Sequence, residues 1–223
     1  MRQRMARAAL IAVIVLWAGV RGAWLMAGRG NLPPGFQEAM EARNVPAVPD
    51  TPLDEIVANH GWHRIPEVNI LIDKSELTLA IRSGDETLKT YPVALGCEDR
   101  SDKQRRGDRL TPEGEFYICQ RNMIPNDRSW QSVWMRLSYP DSEDAEGGLA
   151  DGIITEEQAQ AIKRAVQRRA QPPQDTELGS GIGIHAGGIC PRTWTLGCIA
   201  LQYPHALEVF RHTRLRTPVT IQR

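Results

Sequence analysis

Downstream of Val68 the apolar positions recur every second residue. "VNILID" leads into a turn at Lys74-Ser75, and "LTLAIR" then puts Leu77, Leu79 and Ile81 on one face. Ser83-Gly84-Asp85 signals a hairpin turn, followed by "TLKTYPVALG" and, further on, "EFYICQ" with Phe116 and Ile118 on one side. The stretch "CEDRSDKQRRGDRLTPEG" between them is polar and charged and predicts a loop. The period then changes. Thr155 and Gln158 form a capping box that opens a helix to about Arg169, with Ala159, Ile162 and Val166 on one face, and Pro172-Pro173 end it. "GIGIH" returns to strand, Pro204 at the first helical position starts a short helix with Leu207 and Phe210 inward, and "TPVTIQ" closes as a strand. Mostly antiparallel strands with two short helices predict an all-β or β-rich α+β domain.

The start of the chain follows a different rule. Residues 1–29 hold Arg2, Arg4, Arg7, Arg21 and Arg29 and no acid, and "AALIAVIVLWAGV" runs uncharged between Arg7 and Arg21. A basic start followed by an apolar run is the pattern of a signal peptide or signal anchor. Extended through "RGAWLMAG" it nears the roughly 20 residues that span a bilayer. The arginines would stay on the cytoplasmic side and place the rest in the periplasm or cell envelope. Residues 30–66 are proline-rich with one short helical patch, Phe36 to Arg43, and read as a linker. Residues 67–223 are then one domain's worth of chain, without an internal repeat.

Charge narrows the partners. The whole chain balances 27 Lys and Arg against 27 Asp and Glu. Without the five N-terminal arginines, 22 basic residues face 27 acidic ones, a formal charge of about −5. Nucleic acid would call for a basic stripe, and none is present.

The candidate chemistry lies in "IGIHAGGICPRTWTLGCIAL", residues 182–201. No Cys-x2–4-Cys pair accompanies His185, Cys190 and Cys198, so the spacing does not suit a structural metal, and no cofactor motif is found. In an oxidising compartment Cys97, Cys119, Cys190 and Cys198 allow three full pairings, among which the sequence does not choose. Gly197 before Cys198 permits a sharp turn that displays the thiol, and the amides of Gly197 and Cys198 can converge as an oxyanion hole. His185 closes a strand and is followed by glycines. A thiol on a turn and an imidazole on a rigid strand meet the needs of a nucleophile and its base.

These residues resemble the L,D-transpeptidase catalytic domain (YkuD-like), whose signature is His, a spacer, then Ser/Thr-x-Gly-Cys. "ILIDKSELTLAIRSGDETLKTYPVALG" is similar to its opening strands, "RLTPEGEFYI" to its Thr-Pro-x-Gly-x-Phe element and "TPVTI" to its closing strand, so the likeness covers about residues 67 to 222. The resemblance implies a β-sandwich-like fold and an extracytoplasmic enzyme acting on peptidoglycan stem peptides. Cys198 would attack the carbonyl on the L-centre of diaminopimelate, with His185 as base, expel D-Ala and form a thioester. An amine from a second stem would resolve it as a 3→3 cross-link. Thr195 fills the Ser/Thr position at the substrate site, and Gly197 contributes to the oxyanion hole.

Three departures stand out. Leu196 occupies a position often held by histidine, Ala200 one often held by arginine, and the nine residues between His185 and Thr195 form a short spacer. With fewer fixed charges at the turn, Arg192, the nearest basic residue in sequence, becomes the candidate grip for a substrate carboxylate. "LSYPDSEDAEGGLADGIITEEQAQAIKRAVQRRAQPPQDTELG" reads as an insertion, either a cleft cover or a surface helix. Two alternatives stay open: an L,D-carboxypeptidase or amidase that hydrolyses the same thioester, and a non-catalytic wall-binding module.

Overall fold

The computed structural model describes residues 48–49, 51–97, 101–125, 129, 132–190 and 192–223. The N-terminal segment, 1–29, and the first part of the expected linker lie outside the described residues. Among the described residues no helix is long and apolar enough to cross a membrane. Packing begins earlier than the boundary expected at residue 67. Helix α1 (Leu53–Asn59) buries Leu53 and Val57, and Ile65 joins the same core. The α1 N-terminus is held by a carboxylate, since the Leu53 amide donates to Glu208 and Lys89 Nζ donates to the Thr51 carbonyl at 2.8 Å. An acidic group at a helix N-terminus answers amides that have no partner within the helix.

The alternating stretches form strands β1 (Val68–Asp73), β2 (Thr78–Ser83), β3 (Glu86–Pro92), β4 (Gly114–Met123), β6 (Gly183–Ala186) and β8 (Pro218–Gln222). Two further strands, β5 (Val133–Leu137) and β7 (Ile199–Leu201), complete one sheet in the order β3-β2-β1-β8-β4-β5-β6-β7. Its pairs are antiparallel except β1–β8 and β6–β7. Strand β4 turns the sheet over: Gly114–Tyr117 pair with β8, and from Ile118 the strand pairs with β5 after an irregularity at Cys119. Such a bulge bends and twists a strand. The two ends of the sheet then meet, because Ala94, just past β3, bridges Ala200 of β7 through N–H···O bonds of 2.9 and 2.8 Å. The result is a mainly β domain whose sheet folds back on itself around Ile70, Leu79, Ile118, Met135, Ile184 and Val219.

Helices α2 (Ser142–Ala150), α3 (Glu156–Gln167) and α4 (Tyr203–His212) complete the domain. The Thr155–Gln158 capping box is formed, and α3 buries Ala159 and Ile162. With Ala145, Ile154 and Leu178 these make a second, smaller core, in which burying Ile162 is worth about 1.5–3 kcal/mol. The insertion-like segment is therefore a packed helical pair. In α4, Pro204 sits one position later than expected; Ala206 and Val209 are fully buried, and Phe210, expected inward, packs half-buried against the same core.

Candidate active site

The turn before β7 is held from inside. Thr195 Oγ1 donates to the Cys198 carbonyl at 2.7 Å and accepts the Gly197 amide at 3.2 Å, while the Thr195 amide donates to the Leu95 carbonyl. Gly197 has φ +119°, and a Cβ there would lie 2.6 Å from the Leu110 carbonyl oxygen and 3.0 Å from Ile182. Only glycine suits both the conformation and the space. Leu196 is left at the tip with 73% of its surface exposed.

The parallel register of β6 and β7 sets His185 beside Ala200 and Ile184 beside Ile199. One step further back, Cys198 comes level with Gly183. Side chains two residues apart share a face, so His185 and Cys198 project from the same side of neighbouring strands, offset by about 7 Å along them. His185 Nδ1–H donates to the Ala186 carbonyl at 2.6 Å, which puts the imidazole lone pair on Nε2. The ring stacks on Trp134 at 6.1 Å and meets the edge of Trp194 at 5.8 Å. Burial lowers the His185 pKa below its ordinary value, against a smaller opposite pull from the Ala186 carbonyl.

Cys198 is half-buried, and its sulfur donates to the Gly181 carbonyl at 3.2 Å. Burial raises the thiol pKa, and the Gly183 amide together with the charges of Arg136 and Lys103 opposes the rise. Thiol and imidazole are thus both neutral at rest near pH 7. A neutral base beside a neutral thiol can take the proton as the sulfur attacks.

The other expected residues fall out as follows. Thr195 is 3% exposed and spends its hydroxyl within the turn. Arg192 donates from Nε to the Val93 carbonyl at 2.8 Å and from Nη2 to the Leu77 carbonyl at 2.6 Å, bracing its loop against the ends of β2 and β3. Cys97, Cys119, Cys190 and Cys198 are all thiols, and burial pushes Cys119 up to about 11. Among the described residues no group of three or more His, Cys, Asp or Glu is arranged to hold a metal. Sequence reasoning missed Trp134, Arg136 and Gly181. Strand β5 brings the first two to the site through its pairing with β6, and the alternation of buried Val133, Met135 and Leu137 was the signal that could have found it. A cavity of about 570 Å³ lies elsewhere, lined by Asp102, Asp141, Asp144 and Glu113 among others. Burial and the neighbouring Asp141 raise Asp144 in it to about 8.

No curated protein matches. Solved structures to which the chain is similar include Bdellovibrio bacteriovorus Bd1075, 22% identical with a TM-score of 0.43 over 71% of this chain and 48% of that one. The helical cell shape determining protein Pgp2 from Campylobacter jejuni is 18% identical with a TM-score of 0.45, covering 76% and 55%. Mycobacterium tuberculosis L,D-transpeptidase 1 is 16% identical with a TM-score of 0.40, covering 70% and 62%. The chain thus spans about half to three-fifths of the length of these proteins. The model of the YkuD family, the L,D-transpeptidase catalytic domain, matches residues 67–221. On that match, over well more than half of its length, the chain belongs to the YkuD family of L,D-transpeptidase catalytic domains.

Proposed function

We propose that this transpeptidase-type enzyme acylates itself at Cys198 with a peptidoglycan stem peptide and passes the acyl group to an amine. The observation that supports this best is the shared face of His185 and Cys198, with Nδ1 tied to Ala186 so that Nε2 carries the lone pair. His185 Nε2 takes the thiol proton as Sγ bonds to the carbonyl carbon next to the terminal residue. The C–N bond breaks, Nε2 returns the proton to the leaving amine, and a thioester remains. An amine of a second stem attacks the thioester, loses its proton to Nε2 and restores the thiol. The Cys198 amide serves the oxyanion, with the Gly197 amide beside it also engaged by Thr195 Oγ1. The basic N-terminal run exports or anchors the chain so that it meets its substrate in the cell envelope.

Intact-mass spectrometry tests the reading. A tetrapeptide stem should leave an acyl adduct on the wild-type protein with loss of its terminal residue. Cys198→Ser should form none, since a serine hydroxyl near neutral pH needs more activation than this buried imidazole offers. An undiminished adduct in Cys198→Ser would overturn the assignment. Hydrolysis is the second outcome of the same acylation. It appears as a free tripeptide when an amine acceptor is present, whereas transfer appears as a cross-linked dimer.

A further inference from the structure

Three cations bear on the site, and their surroundings differ. Lys103 is buried and its charge is answered by Asp108 at 2.6 Å. Arg192 points at the Val93 and Leu77 carbonyls. Arg136 stands in a row that crosses the sheet: Gln120 on β4 pairs with Arg136 on β5, Arg136 pairs with Gly183 on β6, and Cys198 lies next to Gly183. Gly183 carries no side chain, and a Cβ there would come 2.7 Å from the Trp134 ring. The Trp134 ring therefore covers Gly183, and β6 itself adds no side chain between Arg136 and Cys198.

The guanidinium is held rather than loose. Nε donates to Gln120 Oε1 at 2.8 Å and Nη1 to Gln174 Oε1 at 2.8 Å, and the group lies 5.5 Å from the Trp134 ring centre. Gln174 also accepts the Gly181 amide at 3.1 Å, and the Gly181 carbonyl is the one on which the Cys198 thiol rests. Both acceptors on Arg136 are neutral amides. Among the described residues no carboxylate is within ion-pair distance of it. A half-buried, rotationally fixed guanidinium without a counter-charge is costly to keep, and a planar fork of N–H donors matches one class of ligand, the carboxylate.

We infer that Arg136 is the substrate-carboxylate site of this enzyme, holding a carboxylate near the carbonyl that Cys198 attacks. The inference rests on the acyl-transfer reading and names the group that selects its substrate. In a stem peptide cut before its last residue, the terminal carboxylate carbon is three bonds from the attacked carbonyl carbon. From the sulfur just before β7 that carboxylate can extend past the Trp134 ring toward the Arg136 guanidinium, which lies 5.5 Å from the ring centre. The diaminopimelate side chain offers a second carboxylate of the same chemistry.

The test compares three tetrapeptide stems: both carboxylates free, the C-terminal carboxylate replaced by carboxamide, and the side-chain carboxylate replaced by carboxamide. Acylation of the full-length protein is followed as kcat/KM for release of the terminal residue. Wild type should prefer the C-terminal acid over its carboxamide by about 10- to 150-fold, the range for a hydrogen bond to a charged group. Arg136→Met should process those two peptides equally, and Arg136→Lys should keep part of the preference. Labelling of Cys198 by neutral iodoacetamide should report an intact site in both variants. If the side-chain carboxamide is the one disfavoured, and the Met variant loses that discrimination, Arg136 holds the side-chain carboxylate instead. Wild-type discrimination retained in both variants, or an equal loss on all three peptides, would overturn the inference alone. Failure of wild type to be acylated by any of the three would overturn the acyl-transfer reading beneath it.

Discussion

Thr195 Oγ1 donates to the carbonyl of Cys198 across the turn at 2.7 Å, so the residue three before Cys198 fixes the peptide plane that follows it. The hydroxyl also accepts the Gly197 amide. Thr195→Val keeps the shape and removes both bonds, leaving a carbonyl and an amide to be satisfied elsewhere. Stability should fall by about 1–3 kcal/mol, and the activity loss should fall on kcat more than on KM because the turn carries the attacking sulfur. Thr195→Ser should restore both. Urea unfolding with steady-state kinetics checks this, and a valine variant of wild-type stability would contradict it.

The His185 pKa is lowered mainly by burial, so the imidazole stays neutral to a lower pH than the ordinary value near 6.5. Activity should be flat from about pH 7 upward and fall only below about 6.5 as Nε2 gains its proton. The same shift sets a sign for stability. Between the folded and unfolded pKa values the unfolded chain binds more protons, so stability is full above about 6.5 and declines as pH drops through that window. His185→Ala should remove part of the decline, with His205, also lowered by burial, supplying another part. Its kcat/KM should fall by about 10²- to 10⁴-fold. A low-pH limb that persists unchanged in residual activity would show that another group is the base.

Gly197→Ala confronts the Leu110 carbonyl at 2.6 Å and a φ of +119° that alanine avoids. The conformation alone costs about 1–3 kcal/mol, and the contact with fixed backbone adds to it. We expect a lower Tm together with loss of acylation, whereas Leu196→Ala next to it, with its side chain at the exposed tip, should leave the Tm unchanged. A Gly197→Ala protein that melts like wild type would contradict the account of the turn.

All four cysteines are thiols, so reductant should neither raise activity nor lower the Tm. A structural bridge would contribute about 2–4 kcal/mol, lost on reduction. Cys190→Ala should retain acylation. Activity that appears only after reduction, and without that need in Cys190→Ala, would instead reveal a bond masking Cys198.

Much of the sheet was legible where a strand turns one side to the core and the other outward. Strands β1 and β8 alternate in the way their burial requires. Strand β5 also alternates, but Trp134 on its open face is as apolar as the core residues beside it, which blurs the pattern. Helix α2 was hidden for the opposite reason. It buries only Ala145 and Gly148, so almost no hydrophobic signal marks it. Cys198, His185 and Gly197 were readable because one turn and one strand end place them locally. Arg136 was not, since its nearness to the sulfur depends on strand pairing between distant segments. Arg192 was chosen for its nearness in sequence, while its guanidinium reaches Leu77 and Val93.

The bridge between Ala94 and Ala200 has a consequence for how any peptide reaches the thiol. Ala200 gives both its amide and its carbonyl to Ala94, so the outer margin of β7 beside the nucleophile is already occupied by the chain's own backbone. An incoming stem cannot extend the sheet there as an added strand, the mode in which main-chain bonds supply affinity regardless of side chains. It has to lie across the face instead. Recognition then falls to what stands on that face, the rings of Trp134 and Trp194 and the side chains around them, and a guest is chosen by its functional groups rather than by its backbone. The same closure also occupies the margin of β7 on which a second copy could otherwise pair.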